Sequence, residues 1–181
     1  DVIRINSQSG RGGVSYVLKN SFGLILPDKM KEEVGYLMKN VSDHRHAELS
    51  PEDMRDVFKE TYVDVDKKFD VSECHFKQKD GIGAEVTIVA DGKETVVDSH
   101  GNGRLNAVNH AIKKYFNLDY ALDVYEEHSL SKRSDAQAIS YVGIKPAGQE
   151  KLYWGAGTDD DIIKSSIDAL VNAVNRYMEN K

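Results

Sequence analysis

Ser99-His100-Gly101-Asn102-Gly103-Arg104-Leu105-Asn106-Ala107 joins a stretch of strand-like sequence to a helix. Two glycines one residue apart allow backbone angles that a β-carbon forbids, and they let another backbone or a small ligand approach closely. The free N–H groups of the helix start point into the same gap. Trp154-Gly155-Ala156-Gly157-Thr158 repeats this arrangement ahead of a second helix. The repetition predicts a duplicated unit with a site near its turns.

The spacing of apolar residues also indicates a duplication. From Val63 onward they recur mainly at every second position, which is typical of strands, and Asp91-Gly92 is a hairpin turn signal. The helix after Gly103 has apolar residues at three- and four-residue spacing, and then the strand pattern starts again. We therefore predict an α+β fold with two βββα units, over about residues 63–117 and 118–181. Each unit is an antiparallel three-stranded sheet with one helix on its face.

The last helix has its own predicted start. The sixth strand is expected to end at Gly155, and Thr158 is expected to be the N-cap residue of the helix. Asp161, three residues later, would complete a capping box. The run Asp159-Asp160-Asp161 suits the positive end of a helix dipole.

Residues 1–62 are predicted to be mostly helical. Val2–Asn6 alternates like a short strand, whereas Pro27 and Ser50-Pro51 mark helix starts. Three short helices bury little apolar surface alone, so we expect them to pack on another domain or on a second chain. The predicted organisation is a helical linker subdomain at 1–62 and a second domain at 63–181.

Composition excludes several classes of protein. A net charge of −6 argues against a nucleic-acid surface, which needs clustered Lys and Arg. No apolar run reaches the roughly 20 residues that cross a bilayer, so no membrane partner is expected. The single cysteine, Cys74, fits a reducing cytoplasm. Because the chain starts with Asp1 and not with Met, we expect a fragment of a longer protein.

Most of the reactive side chains have a simpler structural explanation. Ser129, His128 and Asp135 resemble a hydrolase triad by type, but adjacent strand residues point to opposite faces of a sheet. His44 and His46 have no further ligand at matching spacing, so they are interpreted as loop residues. We therefore predict no catalytic residue and no metal site in this chain.

Small side chains suggest a binding hollow instead. Placed on neighbouring strands at a predicted hairpin, they would form its floor, with apolar side chains around it and the Gly101 turn beside it. Such a hollow suits a small molecule with an aliphatic tail and a carboxylate. Small residues can equally serve only close packing of a helix on a sheet, and the pattern alone favours that interpretation. The lining residues would be Leu105, Leu122, Tyr125, Ser129, Ala136 and Ala138.

Motifs along essentially the whole chain resemble, in the same order, those of long-form members of the 2-isopropylmalate synthase family. Asn6–Val14 resembles the motif that follows the family's catalytic barrel, and Gly23–Pro27 resembles the next signature. The remaining motifs resemble the family's C-terminal regulatory domain: Gly101-Asn102-Gly103, Tyr125–His128, Asp135–Ala138, Tyr141-Val142, Trp154–Gly157, Ser165-Ser166 and Ala173–Arg176.

The resemblance implies an acyltransferase that condenses acetyl-CoA with 3-methyl-2-oxobutanoate in leucine biosynthesis. Its catalytic TIM barrel, with a divalent metal, would precede Asp1, so this chain is expected to be inactive alone and to hold no cofactor. The family's regulatory domain forms a homodimer and binds leucine as a feedback inhibitor between its two βββα units. The leucine-binding residues that the resemblance implies are Gly101, Gly103, Leu105, Asn106, Leu122, Tyr125, Ser129, Ala136 and Ala138.

Three alternatives remain open. Within the superfamily, citramalate synthase has a similar domain that senses isoleucine. From another class, the chain could be a stand-alone amino-acid sensor or dimerisation module. An RNA-binding α+β domain is disfavoured by the net charge of −6.

Overall fold

The computed structural model describes residues 11–130 and 136–181. The predicted strand at residues 2–6 and the triad candidate Asp135 lie outside the described residues. The helices are α1 (Arg11–Phe22), α2 (Asp28–Arg45), α3 (Pro51–Phe58), a π-helical turn (Lys59–Val63), α4 (Arg104–Phe116) and α5 (Ile162–Glu179). The strands are β1 (Phe69–Gln78), β2 (Ile82–Ala90), β3 (Lys93–Gly101), β4 (Tyr120–Ser129), β5 (Ala138–Pro146) and β6 (Tyr153–Asp159).

The predicted α+β duplication is confirmed. Sheet 1 has the order β1-β2-β3 and sheet 2 the order β4-β5-β6, both antiparallel. The first strand of each sheet has 10 residues and the second has 9. Each first strand also has a register shift at the same place, between Val71 and Glu73 in β1 and between Leu122 and Val124 in β4. Asp91 and Gly92 have φ of 52° and 72°, as a two-residue hairpin turn requires.

One core lies between the inner faces of the two sheets and the helices α4 and α5. Its buried residues include Val86 and Ile88 of sheet 1 and Val142 and Ile144 of sheet 2. The buried residues of the two helices complete the core: Ala107, Val108, Ala111, Ile112, Ile167, Leu170, Val171 and Val174. The duplicated units therefore share one layer of helices and one apolar core.

A second core lies on the outer face of sheet 2. Helices α1 to α3 pack there on one another and on the sheet. The buried side chains that sheet 2 contributes are Ile139, Tyr141, Trp154 and Ala156. These helices therefore pack on sheet 2 of the same chain. The domain boundary between residues 62 and 63 stays a prediction.

Side chains of α5 fasten the segment that joins the helices to β1. Asn172 Nδ2 donates to the carbonyl oxygens of Val63 (3.0 Å) and Ala156 (2.8 Å). Asn175 Oδ1 accepts from the backbone N–H of Lys68 at 2.8 Å. The helix start predicted at Ser50-Pro51 is confirmed: Ser50 is the N-cap residue of α3 and forms a capping box with Asp53.

The second glycine motif does not form a turn. Gly155 and Gly157 lie inside β6, which continues to Asp159, and the N-cap residue of α5 is Asp161, not Thr158. A β-carbon on Gly157 would lie 2.7 Å from the backbone nitrogen of Ala169. These two glycines therefore serve the close packing of α5 on β6, which the turn interpretation missed.

Among the described residues, no helix is both long enough and apolar enough to cross a membrane.

Candidate functional site

The first group of candidate residues surrounds the start of α4. Gly101 ends β3, and a β-carbon there would lie 2.6 Å from the backbone nitrogen of Ala107. Gly103 is the N-cap residue of α4 with φ of −157°, an extended conformation open to any residue, and its β-carbon position faces open space. The expectation of special backbone angles is therefore wrong for this turn. Close approach explains Gly101, and the absence of a side chain at Gly103 leaves free space.

The N–H groups at the start of α4 have no capping side chain. Gly103 cannot supply one, and Asn106 Oδ1 instead accepts from the backbone N–H of Asn102 at 3.0 Å. The first turn of a helix carries unpaired N–H groups and a positive partial charge. The open space at Gly103 therefore adjoins donors that suit a carboxylate. Leu105, half-buried in the same turn, packs against the core between the sheets.

The second group lies on the inner face of sheet 2, along the edge strand β4. Ser129 pairs with Ala138, and Tyr125 pairs with Val142, two pairs on one face because the residues alternate. Leu122, half-buried, pairs with Ile144 on that face and packs against the core. Ala136 is half-buried and lies two residues before Ala138, the first residue of β5. The sheet thus brings Leu122, Tyr125, Ser129 and Ala138 to one surface.

Tyr125 gives this surface a polar group. Its side chain is 39% exposed, and its hydroxyl donates to the carboxylate of Glu127. Burial, and then the neighbouring Glu127, raises the pKa of Tyr125 to about 12. The phenol therefore stays neutral at physiological pH and offers hydrogen bonds without a charge.

Buried hydroxyl groups lie next to Tyr125, and the sequence interpretation did not assign them to the site. The Oγ atoms of Ser140 and Ser165 are 2.8 Å apart. Ser165 donates to the carbonyl of Ile162 at 2.9 Å, so Ser140 is the donor to Ser165. A serine at the apolar phase of β5, between Ala138 and Val142, was the signal that could have identified this cluster.

The structure divides the candidates into two groups that border the same core. Gly101, Gly103, Leu105 and Asn106 surround the start of α4, whereas Leu122, Tyr125, Ser129, Ala136 and Ala138 follow the β4–β5 edge. Which of them bind an effector stays a prediction.

The triad interpretation is excluded by the orientation of His128. Its Nε2 atom lies 2.9 Å from the hydroxyl of Tyr141, on the outer face of sheet 2, whereas Ser129 belongs to the inner face. In residues 11–130 and 136–181, no three His, Cys, Asp or Glu side chains gather as a metal site.

Comparison with known proteins identifies the fold's relatives. A family model described as the LeuA allosteric (dimerisation) domain matches residues 48–178. The 2-isopropylmalate synthase of Desulfitobacterium hafniense is 41% identical over 181 residues, which cover 99% of this chain and 32% of that enzyme. That of Helicobacter hepaticus is 40% identical, with 98% and 33% covered, and that of Schizosaccharomyces pombe is 34% identical, with 97% and 31% covered.

The chain spans about a third of the length of these relatives. The family match covers both sheets, α4 and most of α5, which carry the two groups of candidate residues. The chain therefore belongs to the LeuA allosteric (dimerisation) domain family.

Proposed function

We propose that this chain is the regulatory part of a 2-isopropylmalate synthase, and that it binds leucine as a feedback inhibitor. The observation that carries the proposal is the start of α4, which has no side-chain cap and has open space at Gly103. The first turn of a helix offers unpaired N–H donors to an anion. A leucine carboxylate would accept hydrogen bonds from these groups. Its aliphatic side chain would contact Leu105 and Leu122, both half-buried at the rim of the core.

The proposed full-length protein transfers an acetyl group from acetyl-CoA to 3-methyl-2-oxobutanoate. The residues for this reaction, and the divalent metal, would belong to a catalytic barrel outside this chain. Inhibition then requires that leucine bind one state of the whole enzyme more tightly than another. The chain alone should release no free CoA from the two substrates, and turnover above background would contradict this assignment.

The proposed assembly is a homodimer in the cytoplasm. The inner face of β4 supports it, because Tyr125, Glu127 and Ser129 are exposed beside a buried core. A second copy of the chain would cover this edge. Sedimentation equilibrium at micromolar concentration should give twice the mass of the chain, 20.2 kDa, and a monomer would contradict the proposal.

Leucine is favoured over isoleucine because the relatives reported above are named 2-isopropylmalate synthases. Isothermal titration with leucine, isoleucine and valine tests this choice directly. A ligand at a hundredfold excess over Kd stabilises a protein by about 2.7 kcal/mol, so leucine should also raise the melting temperature measurably.

Gly103→Asp tests the position of the site. The β-carbon would meet nothing within 4 Å, and Asp is a favourable N-cap residue, so the variant should fold. Its carboxylate would occupy the N–H groups of α4 and repel the carboxylate of leucine. We expect leucine to lose its effect on the melting temperature, whereas Gly103→Ala should weaken binding less. A Gly103→Asp protein that is stabilised by leucine like the parent would place the ligand elsewhere.

A further inference from the structure

A separate cleft lies on the outer face of sheet 2, away from the inner-face residues Tyr125 and Ser129. Its volume is ≈ 340 Å³, and it lies where α1, α3 and the π-helical turn meet the end of β4 and the start of β5. Its apolar walls are formed by Phe22, Leu24, Phe58, Val63, Leu130 and Ile139. Three of these, Phe22, Val63 and Leu130, are only partly buried, so apolar surface remains open to a ligand.

Two positively charged side chains, Arg55 and Lys59, line this cleft. The guanidinium carbon of Arg55 lies 5.0 Å from the ring centre of Phe22, and Lys59 lies one helical turn further along the chain. Their carboxylate neighbours are exposed: Arg55 Nε donates a hydrogen bond to Asp56 at 3.2 Å, and Asp64 lies 3.9 Å from Lys59. Such surface ion pairs are weak and can be exchanged for a ligand carboxylate.

Among residues 11–130 and 136–181, the polar side chains that line the cleft carry no negative charge. Besides the apolar residues and the two cations, these lining residues are Gln137 and Thr158. An ammonium group on the ligand would therefore add a positive charge next to Arg55 and Lys59, and none of the described lining residues carries a carboxylate to pair with it. An aliphatic acid without an ammonium group avoids this repulsion and still buries its hydrocarbon tail.

We propose that this cleft binds a small aliphatic monocarboxylate that lacks an amino group. The carboxylate would pair with Arg55 and Lys59, and the tail would lie between Phe58 and Ile139. The cleft would thus discriminate against leucine, which makes this site independent of the leucine site proposed above.

The probe is 4-methylpentanoate, which has the carbon skeleton of leucine without its amino group. Heteronuclear NMR titration of the 181-residue chain should show saturable shifts of the amide signals of Phe22, Phe58 and Val63, which line the cleft from its helical side. Leucine, titrated in parallel, should leave these three signals unchanged. This pair of ligands separates the cleft from the proposed effector site, because the outcome for one site does not depend on the other.

Two variants test the charges and the space. Replacing both Arg55 and Lys59 by Gln should weaken binding of 4-methylpentanoate about tenfold or more, since charge-assisted hydrogen bonds are lost. Lys39→Gln, at an exposed position of α2, is the matched control and should bind like the parent. Val63→Phe should fill the cleft and abolish binding.

The proposal is wrong if 4-methylpentanoate gives no saturable shifts, or if the shifts lie outside the cleft. It is also wrong if leucine shifts the same amides with similar affinity, or if the double Gln variant binds as the parent does. The NMR titration of the parent chain tests the proposal without any variant, so the test remains valid even if a variant fails to fold.

Discussion

The two βββα units have the same strand register, but the outer face of sheet 1 is exposed whereas the outer face of sheet 2 is buried. Val96 in β3 and Trp154 in β6 occupy equivalent positions, each five residues before the end of its strand. Val96 is 61% exposed and Trp154 is 1% exposed. The same contrast holds between Glu85 of β2, which is exposed, and Tyr141 of β5, which is fully buried.

The difference arises from what covers each sheet. Helices α1 to α3 cover the outer face of sheet 2, where the ring of Trp154 also lies on the backbone of Gly143. The outer face of sheet 1 instead carries charged side chains such as Glu73 and Glu85. The same sheet architecture is therefore buried on both faces in the second unit and exposed to solvent on one face in the first.

The helix starts differ as well. Gly103 and Asp161 occupy equivalent N-cap positions, each two residues beyond the third strand. The Asp161 carboxylate accepts a hydrogen bond from the backbone N–H of Ile163 at 2.9 Å, so the start of α5 has a side-chain cap. The start of α4 has no such cap. Duplication therefore preserves the positions of strands and helices, while the N-cap residue decides whether a helix start has a side-chain cap.

The largest expected effect comes from the buried outer face. Trp154→Ala should destabilise the chain by about 3–5 kcal/mol, because it removes a large buried side chain and leaves a cavity. The measurement is urea unfolding followed by far-ultraviolet circular dichroism.

Val96→Ala is the control at the equivalent position of sheet 1. Exposed side chains contribute little, so its effect should stay within about 0.5 kcal/mol. Equal losses in the two variants would mean that the outer faces do not differ in the way described.

Close packing of α5 on β6 gives the next largest effect. A β-carbon on Gly155 would lie 2.8 Å from the carbonyl carbon of Asn172. Gly155→Ala should therefore cost about 1–3 kcal/mol through overpacking, whereas Gly103→Ala, in open space, should cost less. Unfolding midpoints of the two variants, measured side by side, check the order. A more damaging change at Gly103 would contradict the packing described here.

Sequence periodicity predicted the sheets where polar residues mark one face of a strand. The alternation of Ala84, Val86 and Ile88 with polar residues identifies β2 and its inner face. Strand β5 has apolar residues on both phases, including Ile139 and Tyr141, as expected for a strand buried on two faces. This apolar run indicates that helices cover the outer face of sheet 2. The sequence analysis considered only the residues of the inner face, so it missed this cover.

The glycine motifs show where sequence reasoning fails. The sequence does not distinguish the positions of Gly101, Gly155 and Gly157. The structure shows that Gly101 ends a strand, whereas Gly155 and Gly157 lie inside one. The capping residue was misassigned for the same reason, since Thr158 and Asp161 are both good N-cap residues. The β4–β5 edge at Ser129 and Ala138 was predictable, because pairing across a hairpin follows from alternation.

Removal of the α5 cap should have a smaller effect. Asp161→Ala should cost about 1 kcal/mol, since the N–H of Ile163 loses its partner. At the equivalent position of α4, Gly103→Ser should leave stability unchanged or raise it by a few tenths of a kcal/mol, because it adds a cap that is absent. Thermal unfolding of both variants without leucine tests the contrast, and a loss at Gly103→Ser like that at Asp161→Ala would contradict it.

The smallest expected effect is a pH dependence confined to the second unit. The backbone N–H of Asp161 donates to Asp159, and this hydrogen bond holds the pKa of the Asp159 carboxyl below its usual value of 3.8. A lowered native pKa means that the ionised carboxylate stabilises the fold above pH 3.8, and that this contribution disappears as the pH falls through the native value. Gly101 occupies the equivalent position in sheet 1 and cannot titrate.

The difference in melting temperature between the parent and Asp159→Asn should therefore be constant near neutral pH and shrink below pH 3.8. A difference that stays constant down to pH 2 would show that the carboxylate charge contributes nothing at this helix start.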